Sequence, residues 1–175
     1  KQFELGLIRN HYVGRTFIEP TQSIRSLGVR LKLSSTKTIV KNKSLILIDD
    51  SIVRGTTCHK IVKMLYEAGA KEVHVRIACP EIKYPDFYGV DMPSENELLA
   101  NKKSNQEMCD YINAKSLEFL SLEGLYSALI GEKRNNNYPQ FSDHYFTGDY
   151  PVKPHDNLKG IRIKQLSLLS VKSGS

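Results

Sequence analysis

Residues Ser44–Ala70 read SLILIDDSIVRGTTCHKIVKMLYEAGA, and the fold class turns on this stretch. It opens with an unbroken apolar run, Leu45-Ile46-Leu47-Ile48, the pattern of a strand buried on both faces inside a parallel sheet. Two adjacent carboxylates, Asp49 and Asp50, stand where that strand leaves the sheet. A turn follows from Ser51 to Thr57, with Gly55 inside it and hydroxyls at Ser51, Thr56 and Thr57. Ile61, Val62, Leu65 and Ala68 then fall at helical spacing, and Gly69 supplies the stop. Strand, acidic pair, hydroxyl-rich turn and helix place a site at the carboxyl edge of an open α/β sheet, where ligands bind.

Backbone N–H groups of a turn that opens into a helix, reinforced by the helix dipole, form an anion site. Ser51, Thr56 and Thr57 add hydroxyl donors without adding negative charge. The aspartates act oppositely: they repel a bare phosphate but accept hydrogen bonds from sugar hydroxyls or hold Mg²⁺. A sugar phosphate satisfies both halves. Other uses of the same pieces fit less well. A two-component receiver also begins with a strand ending in an acidic pair, but it needs a phosphoacceptor Asp at the end of a later strand. The next apolar strand, Val73 to Ala78, ends in Cys79-Pro80. A helix N-cap accounts for Thr56 or Thr57 alone, not for the acidic pair before the turn. A P-loop is excluded because Gly55 is followed by Thr-Thr, and no Gly-Lys-Ser/Thr occurs.

LILIDDSIVRGTT resembles the phosphoribosyl pyrophosphate (PRPP) loop of type I phosphoribosyltransferases. The flanking segments GLIRNHYVGRTFI, VRLKL and FYGVDMPSENELLA narrow the resemblance to the amidophosphoribosyltransferases, which open purine synthesis. The similarity covers about the first two-thirds of the chain. It implies a type I phosphoribosyltransferase-like parallel sheet flanked by helices, incomplete because the chain is a fragment, with an irregular C-terminal tail. It also implies that Ser51, Ile52, Val53, Arg54, Gly55, Thr56 and Thr57 grip the 5-phosphate of PRPP. Asp49 and Asp50 would hold the ribose hydroxyls and their Mg²⁺. Lys32 matches a position that reaches the pyrophosphate, and Arg15 closes over the same side as a further catalytic residue. Tyr12, Arg15, Ile18 and Leu98 match positions lining an ammonia channel. Each of Tyr12, Ile18 and Leu98 taken alone is ordinary core packing.

The 175 residues suffice for one domain with a core. The chain opens at Lys1 in mid-strand, as a piece of something longer would. The formal net charge of +6 suits anionic ligands. The cations are scattered, with no RNP-type aromatic motif or zinc-finger spacing, so a nucleic-acid partner is not expected. Cys58, Cys79 and Cys109 form no CxxC pair, which points away from disulfides and zinc and towards a reducing cytoplasm. No apolar run approaches membrane length, so no membrane partner is expected.

Along the chain, Phe3 to Ile8 reads as a strand, and Val13 to Leu33 as a long cation-rich loop. The resemblance makes that loop a flexible cover over PRPP; the residues alone also allow a solvated basic loop or short hairpin. Ser34 to Lys43 reads as a polar bridge of turn and surface. Glu72 to Ala78 is the next strand, joined by a right-handed crossover, with His74 on one of its faces and no catalytic part for it. Ser94 and Glu97 have capping-box spacing for a short helix through Ala100, and Ser104 and Glu107 repeat it before a helix to about Ile112. A short strand from Leu117 to Leu120 and a closing helix from Leu122 to Ile130 complete a domain over 1–131. Residues 132–175 form a linker and C-terminal extension, in which FSDHYFTGDYPV has the look of an ordered irregular tail.

The family reaction displaces pyrophosphate from C1 of PRPP with ammonia, giving 5-phosphoribosylamine, the ammonia coming from glutamine through an N-terminal glutaminase domain. These residues contain neither that domain nor the upstream pyrophosphate-gripping loop, so the fragment alone is expected to be inactive. The full-length protein would be a homo-oligomer. Some members bind an iron–sulfur cluster through cysteines, including a pair near the segment matching FSDHYFTGDYP. That segment has none, and no cluster is expected. The alternative is a PRPP-binding regulator without transferase activity, against which GRTFI and VRLKL argue.

Overall fold

The computed structural model describes residues 3–4, 7–9, 33–35, 37–90, 92 and 94–152. Its centre is a parallel sheet of three strands, β3 (Ser44–Asp49), β4 (Glu72–Ile77) and β5 (Ser116–Phe119), in the order β3-β4-β5. Ser44 stands opposite Glu72 and Asp49 opposite Ile77, while His74 to Ile77 pair with Ser116 to Phe119. A separate antiparallel pair, β1 (Leu7–Arg9) with β2 (Leu33–Ser35), flanks residues 10–32. The expected strand from Phe3 is thus confined to Leu7–Arg9 among the described residues. The supposed polar bridge holds β2 and a helical turn, α1 (Lys37–Val40), whose Val40 is fully buried. One Ile-Val pair within a polar stretch is enough to dock a turn.

The crossover from β3 to β4 is α2 (Thr56–Glu67), which buries Cys58, Ile61, Val62 and Leu65 on one face. Each such aliphatic side chain is worth roughly 1.5–3 kcal/mol of burial. The stop at Gly69 takes the Schellman form: Gly69 N–H donates to Tyr66 O and Ala70 N–H to Leu65 O, with Gly69 at φ +97°. After β4 come an irregular stretch, a 3₁₀ turn (Glu95–Glu97), α3 (Leu99–Lys102) and α4 (Asn105–Tyr111). Beyond β5, α5 (Leu122–Ile130) starts at a Ser121 cap that accepts from Gly124 N–H, and α6 (His144–Thr147) closes the described chain.

Among the described residues the sheet is covered on one face. Val73, Val75, Ile77 and Leu117 form a core with α2 and with Met108, Cys109 and Ile112 around α4. The expectation that the Leu45–Ile48 strand is buried on both faces is corrected here. Among the described residues β3 lies at the sheet edge, and although Leu45 and Leu47 pack on the core, Ile46 is 43% and Ile48 70% exposed. In a period-2 strand an unbroken apolar run signals two buried faces only when something covers both. On the open face His74 Nδ1 and Arg76 Nη1 share the Ser116 hydroxyl, at 2.8 and 3.0 Å. No helix among the described residues is long and apolar enough to cross a membrane.

Candidate active site at the carboxyl edge of the sheet

β3 delivers Asp49 and Asp50 to the carboxyl edge, and the turn Ser51–Gly55 carries the chain from that edge into α2. Asp49 continues the face of Leu45 and Leu47 and is half-buried, whereas Asp50 is exposed. Burial raises the Asp49 carboxyl above the usual range; the Asp50 N–H, donating to Asp49 Oδ1 at 3.1 Å, opposes the rise, and the Asp50 charge adds to it. Ser51 Oγ donates to Asp50 Oδ1 at 3.0 Å. Around the pair stand two thiols. Burial and the Asp49 charge push Cys58 up to about 12, and burial with the charges of Asp50 and Asp49 pushes Cys79 to about 11. Both are neutral thiols at physiological pH, consistent with packing rather than nucleophilic chemistry.

The helix N-terminus has no side-chain cap. Gly55 is the N-cap of α2, in the left-handed conformation at φ +74°, and no side chain caps the helix. No acidic residue lies in its first turn, which Thr56 and Thr57 occupy. The N–H groups at the positive end of this 12-residue helix thus have no side-chain cap, and the half-buried hydroxyl residues Thr56 and Thr57 stand beside them. Ile52 is 4% exposed and ties the turn to the core. Cys79-Pro80 leaves β4 on the same edge, where Ala78 N–H donates to Asp49 O at 2.9 Å. The structure thus gathers Asp49, Asp50, Ser51, Ile52, Val53, Arg54, Gly55, Thr56 and Thr57 at one edge.

Among the described residues no group of three His, Cys, Asp or Glu side chains forms a metal cluster by itself. Two carboxylates at the strand exit suit an ion such as Mg²⁺ that shares its remaining coordination with ligand oxygens and water. Lys32, Arg15, Tyr12 and Ile18 lie outside the described residues. Leu98, the remaining channel candidate, is fully buried between the 3₁₀ turn and α3.

The Ser94–Glu97 capping box does not form. Ser94 makes no side-chain cap, Leu98 is extended at ψ 126°, and the helix begins only at Leu99. Glu97 Oε2 instead accepts from Arg54 Nη2 at 2.8 Å. Leu99 N–H donates to Val53 O at 2.9 Å, and a Cβ on Gly55 would lie 2.6 Å from Leu99 Cδ2 and 3.1 Å from Tyr111 Cε1. Glu97, Leu99 and Tyr111 are neighbours of the turn that sequence reasoning missed, because a pairing across 43 residues leaves no local signal.

No family model matches the chain. It is 57% identical over 169 residues to the amidophosphoribosyltransferase of Rhizobium etli, covering 96% of this chain and 34% of that protein. It is 55% identical over 155 residues to the chloroplastic amidophosphoribosyltransferase 2 of Arabidopsis thaliana, covering 89% of this chain and 27% of the relative. Among solved structures, the Bacillus subtilis glutamine PRPP amidotransferase complexed with ADP and GMP superposes with a TM-score of 0.71 at 49% identity, over 85% of this chain and 32% of that one. Over the segment it spans, this chain belongs to the amidophosphoribosyltransferase family. That segment amounts to about a third of the relatives' length. The three-stranded parallel sheet with its helices matches the corresponding part of the family structure.

Proposed function

We propose that this chain carries the PRPP-binding part of an amidophosphoribosyltransferase, a glycosyltransferase acting in purine synthesis. The observation that carries the reading is the conjunction at one sheet edge of two carboxylates with an uncapped helix N-terminus preceded by a left-handed glycine. The backbone of Ser51–Thr57 and the hydroxyls of Ser51, Thr56 and Thr57 receive the 5-phosphate. Asp49 and Asp50 accept the ribose hydroxyls, and their charge lies close to where C1 becomes cationic as pyrophosphate leaves. Asp49 and Asp50 would also hold Mg²⁺, which when bound would supply charge neutralisation of the pyrophosphate. Lys32 and Arg15 serve the pyrophosphate side, and Tyr12, Arg15, Ile18 and Leu98 line the route for ammonia. Ammonia made from glutamine by an N-terminal glutaminase domain of the same polypeptide adds to C1, giving 5-phosphoribosylamine. Residues 1–131 form part of the transferase domain and 132–175 its extension. The complete protein is a cytoplasmic homo-oligomer without an iron–sulfur cluster; two relatives, both from Arabidopsis thaliana, are named chloroplastic.

The test is calorimetric titration of the 175-residue chain with PRPP and Mg²⁺, alongside Asp49→Asn, Asp50→Asn and the double variant. Saturable binding in the wild type that weakens by about 10²-fold or more in a folded double variant is the expected result. Unchanged binding in that variant removes the aspartates from the site. Because the ammonia source is assigned elsewhere, glutamate release from glutamine by this chain would overturn the division of labour.

A further inference from the structure

We propose that Glu97 is a positioning residue for the turn Ser51–Thr57, acting through Arg54 and assisted by Leu99. The inference rests on the reading of that turn as the sugar-phosphate loop. Three consecutive turn residues are met from one direction. Arg54 Nη2 donates to Glu97 Oε2 at 2.8 Å, Val53 O accepts from Leu99 N–H at 2.9 Å, and Gly55 is closed off by Leu99 Cδ2 and the Tyr111 ring. The segment presenting these groups is itself held. Asn101 Nδ2 donates to Lys83 O at 2.7 Å and Glu95 O at 3.1 Å, and Glu97 N–H donates to Ser94 O at 2.8 Å. Further back, Lys83 and Tyr84 N–H groups both donate to Tyr145 O. Glu97 is therefore offered to the turn from an anchored arm.

The charge logic points the same way. A guanidinium in the middle of a phosphate-gripping turn competes with the backbone N–H groups for the anion. Paired with Glu97, Arg54 is held on the 95–99 segment, and the uncapped amides with the hydroxyls of Thr56 and Thr57 are left to receive the ligand. Arg54 and Glu97 are each about half exposed, and an exposed pair of this kind adds little to global stability. Its effect is on the shape of the turn. Losing Glu97 is thus expected to loosen the turn and weaken ligand capture while leaving the melting temperature nearly untouched.

The experiment compares wild type, Glu97→Gln, Glu97→Asp and the swapped pair Arg54→Glu with Glu97→Arg in the full chain. Backbone ¹⁵N relaxation at Val53–Thr57 reads turn order, and titration with ribose 5-phosphate reads capture. In Glu97→Gln the amide order parameters should fall from about 0.85 towards about 0.6. Ribose 5-phosphate should bind about two- to fivefold more weakly, the factor an exposed ion pair can supply. Glu97→Asp should recover part of both, and the swapped pair should recover order without recovering binding. Order parameters in Glu97→Gln equal to wild type, or a loosening shared equally by β4, would overturn the proposal. A wild type that ignores ribose 5-phosphate while Glu97→Gln still loosens the turn would instead defeat the sugar-phosphate reading and leave Glu97 a structural clamp.

Discussion

At Asp49, burial works against the ionised carboxylate that the proposed function requires. Its carboxyl is raised by burial and by the Asp50 charge, so the unfolded chain gives up that proton more readily than the folded one. The sign follows: stability falls as pH rises through the ordinary carboxylate range towards the raised folded value, and the ionised group is a net cost at neutrality. Asp49→Asn should therefore melt higher than wild type at pH 7, with the gap closing near pH 4, in thermal scans across that range. The same substitution should weaken PRPP binding, so a variant that gains stability and loses ligand separates the two roles. A residue-level check on the neighbouring thiols is independent of any ligand. With Cys58 at about 12 and Cys79 at about 11, neither should be labelled quickly by iodoacetamide at pH 8 until guanidinium unfolds the chain. Fast labelling of Cys58 in the folded state would show that the strand–helix junction opens.

At the scale of elements, two stretches with the same Ser-x-x-Glu spacing end differently. Ser104 and Glu107 form a complete capping box at α4, with Ser104 N–H donating to Glu107 Oε2 at 2.7 Å. Ser94 and Glu97 do not, because Glu97 is engaged by Arg54 from a distant turn and Leu98 breaks the helix at its start. Local spacing proposes a cap, and a tertiary partner can outbid it. Ser104→Ala should cost about 1 kcal/mol in urea unfolding, as loss of an N-cap does, whereas Ser94→Ala should be near neutral. The β3–α2 turn offers a sharper test. Gly55→Ala must place a Cβ at positive φ and 2.6 Å from Leu99 Cδ2, and the left-handed conformation alone costs roughly 1–2 kcal/mol. Destabilisation beyond that figure, relieved by trimming Leu99 to Ala, would confirm that Leu99 fills the space beside the turn.

For the molecule as a whole, the C-terminal stretch is tied back onto the segment that follows β4. Asp86, 1% exposed in its side chain, accepts from Tyr88 and Val90 N–H groups at 2.8 Å each, from His144 Nε2 at 2.9 Å and from Tyr145 Oη at 3.0 Å. Burial opposes its ionisation, but these donors outweigh it and hold the carboxyl at about 2. A second knot joins Asp143 to Arg134 at 2.6 Å and to Tyr126 Oη at 2.8 Å. A depressed carboxyl stabilises the fold above its ordinary value near 3.8 and loses that contribution as pH falls towards 2. Acid titration followed by the NMR signals of Tyr145 and Tyr150 should show this stretch loosening between about pH 4 and 2, and Asp86→Asn should melt lower than wild type at pH 7 but not at pH 2. The strand–acid–turn–helix order, the Gly69 stop and the α5 span were all legible beforehand, since each depends on residues within a turn or two of one another. So was the family, carried by the contiguous stretch Leu45–Thr57 together with its flanking segments. What only the tertiary structure decided is which neighbours those pieces meet: the buried Val40, the capture of Glu97 by Arg54, and the Asp86–His144 tie. Periodicity and spacing report what a residue does with its own helix or strand, whereas these contacts join residues far apart in the chain, and only the folded packing brings them within reach.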